Sequence, residues 1–178
     1  RRQAPIQTFT NTVRDFAASA FVVIYLPLMT SFAILLLRRP EDGAIWVIAF
    51  VVTVSMIDTA GYLVGRKLGK HQMAPGVSPK KSIEGLVASI LAGSISAVLF
   101  VVFGLHGEWW QGILFAAVML LAAVFGDLAE SLIKRDLGVK DMSSLLPGHG
   151  GVMDRMDSIL PASLIAYLFA SIFFPLAQ

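Results

Sequence analysis

The stretch Ile83-Glu-Gly-Leu-Val-Ala-Ser-Ile-Leu-Ala-Gly-Ser-Ile-Ser-Ala-Val-Leu-Phe-Val-Val-Phe-Gly-Leu105 has 23 residues and one ionisable side chain, Glu84. Wound as an α-helix at about 1.5 Å per residue it reaches ~34 Å, enough to cross the ~30 Å hydrocarbon core of a bilayer. Four further blocks have the same character: Phe16–Leu37, Ala44–Gly65, Gly112–Ile133 and Ile159–Leu176, each with 18 to 22 residues and at most two ionisable groups. The pattern predicts an all-α, polytopic transmembrane bundle of about five spans, a single membrane-embedded domain over residues 1–178. Loops 66–82 and 134–157 then lie together on one face. The first block has no small-residue cleavage site and four spans follow it, which argues against a signal peptide. The chain starts at Arg1 rather than methionine, so it is expected to be the C-terminal part of a longer one.

Composition agrees. Of 178 residues 56% are hydrophobic and 15% charged, with mean hydropathy +0.75, against roughly 45–50% and 25% in soluble domains. An ordinary soluble globule is excluded, as are disordered and collagen-like chains. With no cysteine there is no disulfide framework, thiolate zinc site or thiol nucleophile. A net charge of +2 gives no reason to expect a nucleic acid partner.

Five spans put alternate connections on opposite sides. The N-terminal side holds Arg1, Arg2, Arg14, Arg66, Lys67, Lys70, Lys80, Lys81, Lys134, Arg135, Lys140 and Arg155; the other holds only Arg38 and Arg39. Basic residues favour the cytosol, so both loops are expected to face it. Trp46, Trp109 and Trp110 then fall at the far surface as an aromatic belt, with Arg38 and Arg39 as anchors there.

Two acids interrupt the apolar blocks, Asp58 and Asp127. A carboxylate within a span costs at least ~2.5–3.5 kcal/mol on insertion scales unless water or a cation meets it. Counted from the start of each block, the two lie about 21 and 22 Å along helices running the same way. Two readings stand: one shared polar site open to cytosolic water, or two unrelated acids hydrogen-bonded in a bundle. Equal depth favours the first. Asp127, Glu130, Ser131 and Lys134 recur at helical spacing and form one stripe facing protein. Ser131 beside Asp127 supplies a further oxygen for a hard cation. Gly61 and Gly65 fit close helix packing better than ligand contact, and Lys67 and Lys70 fit the positive-inside bias.

The segment from Ser131 to Asp157 carries the densest chemistry. Glycines around His149 allow backbone amides to approach an anion, and Asp154 and Asp157 follow closely. No second histidine stands at metal spacing, which makes His149 a loop-ordering or phosphate-facing group. Neither the Walker phosphate loop nor the dinucleotide glycine pattern occurs.

This segment resembles the signature of the phosphatidate cytidylyltransferases. Ser131, Lys134, Arg135, Lys140, Asp141, Pro147, His149, Gly150, Gly151, Asp154, Arg155 and Asp157 occupy twelve specified positions over 27 residues. A second similar stretch runs through Asp58-Thr-Ala-Gly-Tyr62, Gly65-Arg66, Gly69-Lys70 and Pro75-Gly-Val-Ser78-Pro79-Lys80-Lys81-Ser82-Ile-Glu84-Gly85. Its departure is Ser82-Ile83, where the family commonly has Thr-Trp.

The resemblance implies that CTP and phosphatidate become CDP-diacylglycerol and pyrophosphate, in a bacterial inner membrane with the site facing the cytosol. It implies Mg²⁺, with a second, monovalent cation in view, and a homodimer among membrane lipids. Asp127 and Asp154 are expected as principal metal ligands, with Ser131 and Asp58 nearby. Lys134, Arg135, Arg155, His149, Gly150, Gly151 and Asp157 are expected on the nucleotide, and Ser78, Lys80 and Lys81 on the lipid phosphate. Lys134 joins Asp127 and Asp154 as a catalytic candidate. Alternatives are an ion- or proton-coupled transporter, though no internal repeat is visible, a related CTP-dependent lipid nucleotidyltransferase, and a polyprenol kinase. A CDP-alcohol phosphotransferase is excluded, since Asp42-Gly43 is not followed by Ala-Arg at the needed spacing.

Overall fold

The computed structural model describes residues 5–74, 78–137 and 158–176. Helix α1 spans Pro5–Leu37 and α2 spans Gly43–Leu68. Strands β1 (Gln72–Ala74) and β2 (Ser78–Ser82) pair antiparallel. Helix α3 (Ile83–Leu99) continues through a π-helical turn, Phe100–Gly104, and α4 (Trp109–Leu137) and α5 (Ile159–Phe173) follow. Every expected span is a helix. Gly43–Leu68, Ile83–Gly104 and Trp109–Ala129 are long and apolar enough to cross a membrane, while Val23–Leu37 and Ile159–Phe173 are shorter apolar helices. The chain is a helical membrane protein, and among the described residues a two-stranded hairpin lies inside the expected loop 66–82.

The closest packing is between α2 and α3. Apolar side chains gain little by leaving lipid for one another, so membrane helices associate through close contact and hydrogen bonds. Small residues provide both here. Gly85, Ser89 and Gly93 recur every four residues on α3 and meet Ile57, Gly61 and Gly65 of α2. A Cβ on Gly85 would stand 2.8 Å from the Gly61 carbonyl oxygen and 3.2 Å from Gly65 Cα. The Ser89 hydroxyl donates to the Ile57 carbonyl at 2.7 Å, and Thr53 and Ser96 oxygens lie 3.4 Å apart farther along. Gly61 and Gly65 are packing residues, as their spacing indicates.

Away from the hairpin the bundle is tied by aromatics. Trp46 contacts Phe115 and Phe174 at ring-centroid distances of 5.5 and 5.2 Å, both edge-on, and Phe169 stacks on Phe173 at 4.6 Å. Trp46 is therefore core, contrary to its expected place in an interfacial belt: its side chain is 0% exposed. Its indole N–H donates to Asp42 at 2.9 Å, which turns the ring inward. Trp109 and Trp110 remain exposed. Arg39 is likewise not a free surface anchor. Its Nε and Nη2 grip the two Asp42 oxygens at 2.8 and 2.9 Å, and Nη2 also reaches the Phe174 carbonyl at 2.6 Å, tying the α1–α2 turn to the end of α5.

Burial raises the Asp42 carboxyl pKa, but hydrogen bonds from Arg39 and Trp46 and the Arg39 charge outweigh it, leaving the group below its ordinary 3.8. A carboxyl with a lowered folded value contributes stability above the unfolded value and loses it as pH falls through the folded one. Asp42→Ala is therefore expected to lower the thermal midpoint at pH 6, with the gap to the parent narrowing below pH 3.8, read by thermal unfolding in detergent. Gly85→Leu, which drives a side chain into the Gly61 backbone, is expected to lower the midpoint by at least about 3 °C. Ile172→Ala, on the lipid-facing side of α5, should shift it by no more than about 2 °C.

Candidate active site

Helices α2 and α4 run the same way, and Asp58 and Asp127 each lie ten residues before the last residue of their helix, Leu68 and Leu137. That is about 15 Å of rise in both cases. The α2–α3 seam sets the height of Asp58 directly, because the neighbouring Ile57 carbonyl is the one held by Ser89. Asp58 itself is exposed on the bundle. On α4 a buried stripe of Phe115, Met119, Ala122, Ala123 and Gly126 runs toward the hairpin end, and Asp127 stands half-buried at its edge. Ser131 is half-buried one turn on, and Arg135 is exposed one turn beyond.

The helix thus presents a carboxylate, a hydroxyl and a guanidinium at four-residue intervals. Helical geometry puts such residues on one face, with the acid deepest and the cation outermost. Asp127 and Ser131 are hard oxygen donors of the kind that suits Mg²⁺. Among the described residues, no group of three His, Asp or Glu side chains gathers closely enough to hold an ion. Asp154 and Asp157, with His149, Gly150, Gly151 and Arg155, lie outside the described residues. The segment that carries them joins the end of α4 to Ser158, which is buried before the first residue of α5. Lys134 falls within α4, one turn after Glu130, and Ser78, Lys80 and Lys81 fall in β2. The side chains of these five residues lie outside the described parts.

One arrangement was not anticipated from sequence. The His71 ring Nδ1 lies 2.7 Å from Glu84 Oε1, and the His71 backbone N–H donates to Glu84 Oε2 at 3.3 Å. The Ile83 N–H donates to the His71 carbonyl at 3.0 Å, closing the base of the hairpin. Beside it the Ser82 hydroxyl accepts from the Gly85 N–H at 3.1 Å and caps α3. The serine standing where the family commonly has threonine therefore keeps a capping oxygen. An acid two residues after a capping serine was a legible signal, since carboxylates favour the first helical turn; its histidine partner, 13 residues earlier, was not. The clasp fixes both ends of the segment bearing Ser78, Lys80 and Lys81.

The pattern of the family described as "Cytidylyltransferase family" matches residues 3–173. The chain belongs to this family. It is similar to the phosphatidate cytidylyltransferase of Mycobacterium bovis, 42% identical over 158 residues, covering 89% of this chain and 51% of that protein. The Mycobacterium leprae phosphatidate cytidylyltransferase is 44% identical over 158 residues, covering 89% and 50%. The Helicobacter pylori protein of the same name is 38% identical over 124 residues, covering 70% and 46%. The chain spans about half the length of these relatives.

Glu84→Ala is expected to open the base of the hairpin. Hydrogen exchange should then speed at the His71 and Ile83 amides while the α2–α3 seam around Gly61 and Ser89 keeps its protection. Unchanged exchange at His71 would mean that the strands alone hold the segment.

Proposed function

We propose that the chain carries the reaction centre of a phosphatidate cytidylyltransferase, joining CTP and phosphatidate into CDP-diacylglycerol and releasing pyrophosphate. The observation that carries the reading is the α4 stripe of Asp127, Ser131 and Arg135, which runs directly into the segment of twelve matched positions ending at Asp157. Its relatives of that name support the same reading.

The chemistry follows from charge. A phosphomonoester has a second pKa near ~6 and is already an anionic nucleophile at neutral pH. One of its oxygens attacks the α-phosphorus of CTP, the bond from that phosphorus to the bridging oxygen of the β-phosphate breaks, and pyrophosphate leaves with the bond electrons. No strong base is needed. The barrier is repulsion between two anions, so the protein's task is to neutralise and align them. Lys134, Arg135 and Arg155, with His149, Gly150, Gly151 and Asp157, are assigned to the nucleotide; Ser78, Lys80 and Lys81 are assigned to the lipid phosphate. Asp127 and Asp154 would hold Mg²⁺ with Ser131 and Asp58 beside them, a monovalent ion taking any second site. Mg²⁺ supplies polarisation of the phosphoryl oxygens and shielding of the leaving group. The protein acts as a homodimer in a bacterial inner membrane, its basic loops in the cytosol.

The test is pyrophosphate release by the purified full chain, comparing CTP with ATP and phosphatidate with a polyprenol. CTP with phosphatidate is expected to be the productive pair. Asp127→Asn should reduce turnover at least about a hundredfold with the thermal midpoint retained. Lys134→Ala should lower kcat/KM for CTP more than for phosphatidate. Release of CDP with a polyprenol, and of no pyrophosphate with phosphatidate, would reassign the chain to a lipid kinase.

A further inference from the structure

A cavity of about 320 Å³ lies between α2, α3 and α4, lined by residues that include Ile57, Ser89, Gly93, Ile113, Ala117 and Leu121. Nothing in the chemistry above uses it. We propose that it is the berth for one acyl chain of the lipid substrate, an inference that rests on the proposed reaction.

Three observations converge on an acyl chain. The first is continuity with the polar site. Ile57 lines the cavity and is followed at once by Asp58, while Leu121 precedes Asp127 by six residues, about 9 Å toward the opposite end of α4. A lipid whose phosphate stands near Asp127 therefore has its tails directed along this cavity, past Asp58. The second is length. The lining from Ile113 to Leu121 rises about 12 Å, close to the ~15 Å that one leaflet contributes to a ~30 Å hydrocarbon core. The third is chemistry. The lining is apolar apart from two serines, and the Ser89 hydroxyl is already committed to the Ile57 carbonyl at 2.7 Å. No charged side chain lines the cavity, so a nucleotide has nothing to bind there. Gly93 and Ala117 keep the space open, and the exposed Ile90, Ile113 and Leu121 border it. A chain seated there leaves the bilayer sideways, without its tails passing through water.

The test fills the cavity from an exposed position. Ala117→Phe in the full chain, reconstituted in phosphatidylcholine vesicles, is compared with the parent on dipalmitoyl and on dihexanoyl phosphatidate. Ile95→Phe, on the exposed side of α3 outside the cavity, serves as the control. The berth predicts that Ala117→Phe raises KM for the long-chain substrate about tenfold, leaves KM for CTP unchanged, and alters the short-chain value by less than about twofold; Ile95→Phe changes none of these. An equal effect on both lipids, or none on either, overturns the berth while leaving the reaction standing. A changed oligomeric size in detergent with an unchanged chain-length profile makes the face a protein contact and also overturns it. If the parent converts neither phosphatidate, the reaction falls and the berth with it.

Discussion

The structure depends on backbone-to-backbone closeness between α2 and α3. Gly61, Gly65, Gly85 and Gly93 remove the side chains that would hold the helices apart, and the Ser89 hydroxyl then reaches the Ile57 carbonyl across the gap. In hydrocarbon this is the interaction available to fix one span against another, because apolar contact alone does not distinguish protein from lipid. A hydrogen bond to a backbone carbonyl also fixes register in a way that greasy contact cannot. Sliding α3 by one turn would bring Ser89 opposite a different carbonyl.

Everything at the hairpin end inherits that register. Asp58 is one residue from the held carbonyl, and β1 and β2 are strung between the ends of the same two helices, with His71 and Glu84 as their clasp. Helix α4 packs against α3 and α5 and carries Asp127 toward the hairpin end. The opposite end is closed by different chemistry: the Trp46 aromatic cluster and the Arg39–Asp42 pair reaching to Phe174. One end is tied by apolar rings around the Arg39–Asp42 ion pair. Among the described residues the other end carries Arg66, Lys67, Lys70 and Arg135.

The helices were legible because the apolar blocks match the length a helix needs to cross a bilayer, and the two acids because a carboxylate in an apolar block announces itself. Small residues at 61 and 65 marked a packing face, though not its partner; that required knowing that 85, 89 and 93 repeat the interval on a helix running the other way. The hairpin was hidden. Its strands hold three and five residues, Pro79 breaks any alternation, and its pairing is decided by where α2 and α3 end. Trp46 was misplaced because an indole near a span end is ordinarily interfacial, whereas Asp42, itself held by Arg39, draws this one inward. Of the site, Asp127, Glu130, Ser131 and Lys134 were readable as one helix stripe, and all four fall within α4. The arrangement of the loop residues is not written in helical periodicity, so the twelve matched positions identify them without giving their geometry.

The choice of polar groups inside the spans separates structural from chemical demand. Where the bundle needs only an internal hydrogen bond, it uses a hydroxyl: Thr53 with Ser96, Ser89 on Ile57, Ser163 on the Met29 carbonyl. Each satisfies a polar atom without bringing charge into lipid. Asp58 and Asp127 are a different choice, each costing at least ~2.5–3.5 kcal/mol on insertion scales, a large fraction of the roughly 5–15 kcal/mol that separates folded from unfolded chains. Both stand in the half of their helices nearer the hairpin, beside glycines and serines that show milder polar groups suffice for packing. A carboxylate kept against that cost meets a demand that a hydroxyl does not, and the proposed reaction, which has to hold charge near Asp127, makes such a demand.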